Sequence, residues 1–79
     1  SVINTIEADR WVDGDELALH LRKAIASLPE KQRIVFNMHY YDEMKYEQMS
    51  EILGTSVGAL KASYHHAVKK IEEYFNKID

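Results

Sequence analysis

Gly54 stands between two short amphipathic stretches, and this arrangement limits what the chain can fold into more than any other feature. Tyr46-Glu47-Gln48-Met49-Ser50-Glu51-Ile52-Leu53 reads as a helix that stops at the glycine, and Val57-Gly58-Ala59-Leu60 opens another after a three-residue turn. Glycine enters the left-handed region without a Cβ penalty and so ends a helix sharply. Ser50, four positions before Gly54, is small enough to let two helices cross closely. Leu60, six positions after it, is placed to plug the joint. The pattern is that of a helix-turn-helix, whose second helix normally lies in the DNA major groove. A plain helical hairpin is the bland alternative.

Seventy-nine residues support one core, not two. There is no cysteine, which excludes a disulfide framework or thiolate metal site and suits a reducing cytoplasm. No apolar run approaches the length of a membrane span, and no signal peptide is visible. The net charge of −3 runs against the basic footprint usual for DNA binding. The charge is polarised, however. Residues 1–16 carry Glu7, Asp9, Asp13, Asp15 and Glu16 against Arg10 alone, whereas Thr55 to Ile71 hold three lysines, two histidines and no acid.

Helical periodicity recurs four times, giving an all-α expectation with almost no strand signal. Leu17, Leu21, Ala24, Ile25 and Leu28 form one stripe, with Asp13 and Glu16 as a start signal and Pro29 as the break. A second helix is expected from about Glu30 to Tyr41, with Ile34, Val35 and Met38 as its core stripe. Asp42-Glu43-Met44 forms a short connector. A third helix runs from about Lys45 to Leu53, with Tyr46, Met49, Ile52 and Leu53 facing inward. Ser56 caps a long fourth helix whose stripe is Val57, Leu60, Tyr64, Ala67, Val68, Ile71, Phe75 and Ile78. The apolar residues of all four are expected to meet in one core. Residues 1–12 lack a clear period, and residues 1–13 read as a linker or loosely packed segment, with packing of Ile3, Ile6 and Trp11 on the domain left open. The domain proper is expected over residues 14–79.

The outer face of the fourth helix carries Gly58, Lys61, Ala62, His65, His66 and Lys69. Small residues near its start permit close approach to base edges. Lysine and histidine can donate to guanine or to phosphate oxygen. Thr55 and Ser56 can offer hydroxyl and backbone N–H groups to a phosphate. A solvated helix face explains such residues equally well in general. The absence of acid from this stretch, in a chain rich in acid elsewhere, favours nucleic acid.

Leu28-Pro29-Glu30-Lys31-Gln32-Arg33, Tyr40-Tyr41-Asp42-Glu43-Met44, Ile52-Leu53-Gly54-Thr55-Ser56 and Gly58-Ala59-Leu60-Lys61-Ala62 together resemble region four of a bacterial sigma factor. The extracytoplasmic-function group of the sigma-70 family is the nearest type. The resemblance covers about residues 14–76 and implies a four-helix domain of the sigma region four type, containing a helix-turn-helix without a wing. It further implies binding of the minus-35 promoter element, docking on the flap of the RNA polymerase beta subunit, and capture by an anti-sigma factor. The minus-ten-melting region two of such factors is missing, so the chain resembles the C-terminal domain of a longer protein. By position, Lys61, Ala62, His65 and His66 match base- and phosphate-facing places. Ser63 and His66 stand where the family commonly has arginine, which weakens the expected phosphate contacts.

Other readings are weaker. A LuxR-type response-regulator domain shares the four-helix layout but normally dimerises through its last helix. An interaction adaptor that never touches DNA suits the acidic balance. The resemblance to sigma region four also implies that polymerase flap or anti-sigma factor contacts the first two helices and the Asp42–Met44 connector, through Phe36, Tyr40 and Met44. His20, His39, His65 and His66 have no metal-site spacing, no cofactor is implied, and nothing resembles a phosphate loop or an activated nucleophile.

Overall fold

Proline and glycine divide the chain where they stand in the sequence. The computed structural model describes residues 14–78, so Ile3, Ile6, Trp11 and Asp13 lie outside the described residues. Four helices follow one another among the described residues: α1 (Gly14–Ala26), α2 (Glu30–Tyr40), α3 (Tyr46–Leu53) and α4 (Val57–Lys77). The described residues include no strand.

Local chemistry accounts for the boundaries. Asp15 and Glu16 occupy the first turn of α1 and Lys23 its last, each matching the sign of the helix dipole at that end. Ser27 closes α1 by donating its hydroxyl to the Ala24 carbonyl at 2.6 Å. Pro29 sits at the N-cap of α2 with φ −54° and ψ 147°, an extended entry that needs no N–H. Tyr41 is the C-cap of α2, one residue short of the expected end, and Lys45 is the N-cap of α3.

α4 has 21 residues, a length of about 31 Å at the usual helical rise, and packs against every other helix. Two clusters form along it instead of the single core that the stripes suggest. The larger joins Leu17, Leu21, Ala24, Ile25 and Leu28 with Phe36 of α2 and with Ala67, Ile71 and Phe75 of α4. The smaller joins Val35 of α2, Met49 of α3 and Leu60 of α4. Tyr64 packs against both. The division follows from which helices meet: α1 lies on α2 and α4, while α3 lies on α2 and α4 at the other end.

Three expected placements are corrected. Ile52 is 60% exposed and Ile34 39% exposed, so neither belongs to the core. At 100° per residue, Tyr46, Met49 and Leu53 share a face whose centre Ile52 leaves by roughly 90°. Phe36, expected on an exposed partner surface, is fully buried and stacks on Tyr40 and Tyr64 with ring centroids 5.1 and 5.4 Å away. The buried stripe of α2 runs through Val35 and Phe36, flanked by the half-buried Gln32 and His39. Those two polar residues hide the stripe from a hydrophobicity pattern.

Candidate nucleic-acid interface

The joint between α3 and α4 is built from backbone first. Gly54 takes φ 65° and ψ 30°, and its N–H donates to the Ser50 carbonyl at 2.9 Å. A Cβ built there would meet nothing within 4 Å, so the glycine is required by its dihedral angle and not by crowding. Ser56 then caps α4, its hydroxyl oxygen accepting from the Ala59 N–H at 3.2 Å. Leu60 is fully buried against Val35 and Met49, which fixes the first turns of α4 relative to α2 and α3.

An aromatic group braces the same joint from the α2 side. His39 Nδ1 donates to the Met44 carbonyl at 2.9 Å, which sets its tautomer because a carbonyl can only accept. The Met44 N–H in turn donates to the Met38 carbonyl at 3.0 Å, so the connector is tied back twice. Glu43 takes φ 54° within it, a left-handed value uncommon for a residue with a Cβ. The His39 ring stacks on Tyr46 at 4.2 Å and meets Tyr64 edge-on at 4.7 Å. Burial raises the phenol pKa of Tyr64, with Tyr46 and Tyr40 adding to it, and burial alone raises that of Tyr46. The sequence gives His39 no role. Its position three residues after Phe36 on the buried face is the signal that could have found it.

The outer face of α4 is open. Gly58, Lys61, Ala62, His65, His66 and Lys69 are all exposed on it, and Ser63 is half-buried at its edge. Gly58 faces empty space, with nothing within 4 Å of a built Cβ. The Lys61 ammonium lies 5.8 Å from the centre of the Tyr46 ring, a cation–π distance. His65 and His66 stand 6.1 Å apart between ring centroids and tilted, so they present separate donors. Ser56 is exposed, but Thr55 is half-buried and its hydroxyl donates to the Leu53 carbonyl at 3.4 Å. Lys69 borders a shallow depression with Glu72, Glu73 and Asn76, which marks where the acid-free face ends. The described residues bring together no group of three or more histidines and carboxylates able to hold a metal ion.

This fold and this joint have a counterpart among known families. Residues 19–71 match the family described as sigma-70, region 4. The chain belongs to that family. The match takes in most of α1, the α2–α3 connector, the glycine joint and α4 as far as Ile71, the last residue of the acid-free stretch. No curated protein and no solved structure matches the chain. A sigma-70 region 4 domain is a DNA-binding regulatory unit of sigma factors, and domains of this family generally bind minus-35 DNA and RNA polymerase. No helix among the described residues is long and apolar enough to cross a membrane.

Proposed function

We propose that this region 4 domain directs transcription initiation by reading the minus-35 promoter element with the first half of α4, as part of an extracytoplasmic-function type of sigma factor acting in the cytoplasm. The observation that carries the reading is the exposed, acid-free face of Gly58, Lys61, Ala62, His65 and His66 on a helix whose start is fixed by Gly54, Ser56 and Leu60. A major groove admits such a helix, and the small residues allow its backbone close to the base edges. Lys61 reads a base. Ser56 and Thr55 meet a phosphate at the helix start, Thr55 only after giving up its bond to Leu53. Ser63 lies at the margin, and Lys69 meets phosphate alone. Residues 14–79 form the reading unit and residues 1–13 a connecting segment.

The same reading places the beta-subunit flap of RNA polymerase and an anti-sigma factor among the partners. The surface apolar residues Ile34, Tyr41 and Ile52 supply contact area that the buried Phe36 does not.

Fluorescence anisotropy of promoter-derived and random duplexes across a salt series tests the proposal. Lys61→Ala should cost about 1–3 kcal/mol on the preferred site and relax its sequence preference. Lys69→Ala should weaken all duplexes alike and lower the salt slope by about one. Equal losses for both variants on both duplexes would end the division of labour. No binding to any duplex, even within a complete sigma factor, would leave an interaction adaptor, the reading that the net charge of −3 favours.

A further inference from the structure

Lys61 is exposed near the start of α4, yet its side chain is not free in solvent. Its ammonium stands 5.8 Å from the centre of the Tyr46 ring. Tyr46 belongs to another helix, as the first residue of α3, and is half-buried. Among the described residues Lys61 forms no ion pair with a carboxylate, so the ring is the group that holds the ammonium.

The ring is itself held. His39 of α2 stacks on it, with centroids 4.2 Å apart and planes 20° apart. Tyr64 of α4 meets it edge-on at 6.5 Å and 79°. His39 and Tyr64 meet each other at 4.7 Å and 82°. Three rings from three helices thus close on one another, and the bond from His39 to the Met44 carbonyl anchors the group. Tyr64 also lies three residues beyond Lys61, a spacing that makes the two side chains neighbours on α4. Lys69, exposed on the same face, lies over no aromatic ring among the described residues.

A lysine side chain loses much rotamer freedom when it docks on a base. Confinement over a ring beforehand reduces the freedom left to lose. An exposed cation–π contact is also weak enough to be exchanged for guanine acceptors. We infer that Tyr46 is a positioning residue for sequence reading, holding the Lys61 ammonium so that it meets the groove already aimed at a base. His39 and Tyr64 fix the ring that does so. Lys69 lacks such a device and stays a loose phosphate contact. The inference rests on the base contact proposed for Lys61, and the experiment separates the two.

The first measurement needs no DNA. In the free 79-residue protein, the side-chain methylene protons of Lys61 should resonate upfield of ordinary lysine positions, because the Tyr46 ring current shields them. Tyr46→Phe should keep the shift and Tyr46→Leu should remove it. The second measurement is the ratio of affinities for promoter-derived and random duplexes by fluorescence anisotropy. Tyr46→Leu should lower that ratio about two- to five-fold, the factor that an exposed cation–π contact is worth. Tyr46→Phe should keep it. In a Lys61→Ala background, Tyr46→Leu should change the ratio no further. If Tyr46→Leu loses helix content, Tyr46→pentafluorophenylalanine takes its place, since it keeps the shape of the ring and reverses its charge distribution. Unshifted Lys61 protons in the wild type would overturn the inference. So would an effect of Tyr46→Leu that persists without Lys61, because the ring would then act by placing the helix. A ratio that falls in Lys61→Ala but not in Tyr46→Leu would overturn this inference and leave the base contact standing. A ratio that Lys61→Ala leaves unchanged would overturn the base contact, and the positioning role with it.

Discussion

The two ends of α4 are held by very different amounts of structure. Among the described residues, Ala67, Ile71 and Phe75 lie in a cluster of nine buried side chains, whereas the buried members of Leu60's cluster are Val35 and Met49, with partly buried Met38, Met44, Tyr46, Leu53 and Tyr64 around them. The sparse end is the one that presents Lys61, Ala62, His65 and His66. Its position therefore depends on a few local devices, namely the αL glycine, the serine cap, one buried leucine and the His39 bond to Met44. The comparison teaches that stability and the proposed reading face are separable here. The back half of α4 anchors the domain, and the front half is aimed by its turn.

The largest effects should separate the two clusters. Phe36→Ala removes a fully buried ring that touches Tyr40 and Tyr64, and should cost about 3–5 kcal/mol across the whole domain. Leu60→Ala should cost about 2–5 kcal/mol, with the loss concentrated in α3 and the first turns of α4. Hydrogen exchange by residue would measure both. Equal loss of protection in α1 and α3 for Leu60→Ala would mean that the clusters act as one unit.

A smaller effect isolates the turn from the packing around it. Gly54→Ala should cost about 1–2 kcal/mol, because the penalty is that of a left-handed backbone with no steric clash added. A much larger fall in Tm would point to crowding at the joint.

Smaller again is a pH effect on the aromatic brace. Burial raises the Tyr64 and Tyr46 phenols above 10.0, so the folded state holds these protons more tightly than the unfolded chain. That contribution is fully present below pH 10 and is lost as pH rises through the raised values. Thermal melts at about pH 9 and about pH 11 should show it, and Tyr64→Phe should reduce the difference. An unchanged difference in Tyr64→Phe would place the alkaline loss elsewhere.

The smallest effect is expected at Ile52, where Ile52→Ser should change stability by no more than about 0.5 kcal/mol because the side chain is 60% exposed. A core-sized cost there would mean that α3 presents a different face to α4.

Much of this architecture was legible because it is local. The stripe of α1, the break at Pro29, the turn at Gly54 and the cap at Ser56 each depend on residues within four positions of one another. The exposed face of α4 follows from the same spacing. The burial pattern of α2 was legible only in part: Val35 and Met38 face the smaller cluster as expected, but Ile34 is exposed and Phe36 is buried. Its apolar residues surround most of the helix, and the true inner stripe is interrupted by Gln32 and His39. Ile52 was misplaced for a related reason: an apolar residue beside a stripe is easily counted into it.

The sequence by itself determined where the helices begin and end, which turn joins α3 to α4, and which family the residues resemble, since caps, dihedral preferences and 3.6-residue periodicity act within a few residues. Only the tertiary structure decided that the apolar stripes would form two clusters bridged by Tyr64, that Phe36 would be sealed while Ile34 and Ile52 stayed outside, and that His39 would lock the connector. Those outcomes depend on which helix faces meet across the fold, and residues far apart in the chain settle that together when the helices pack.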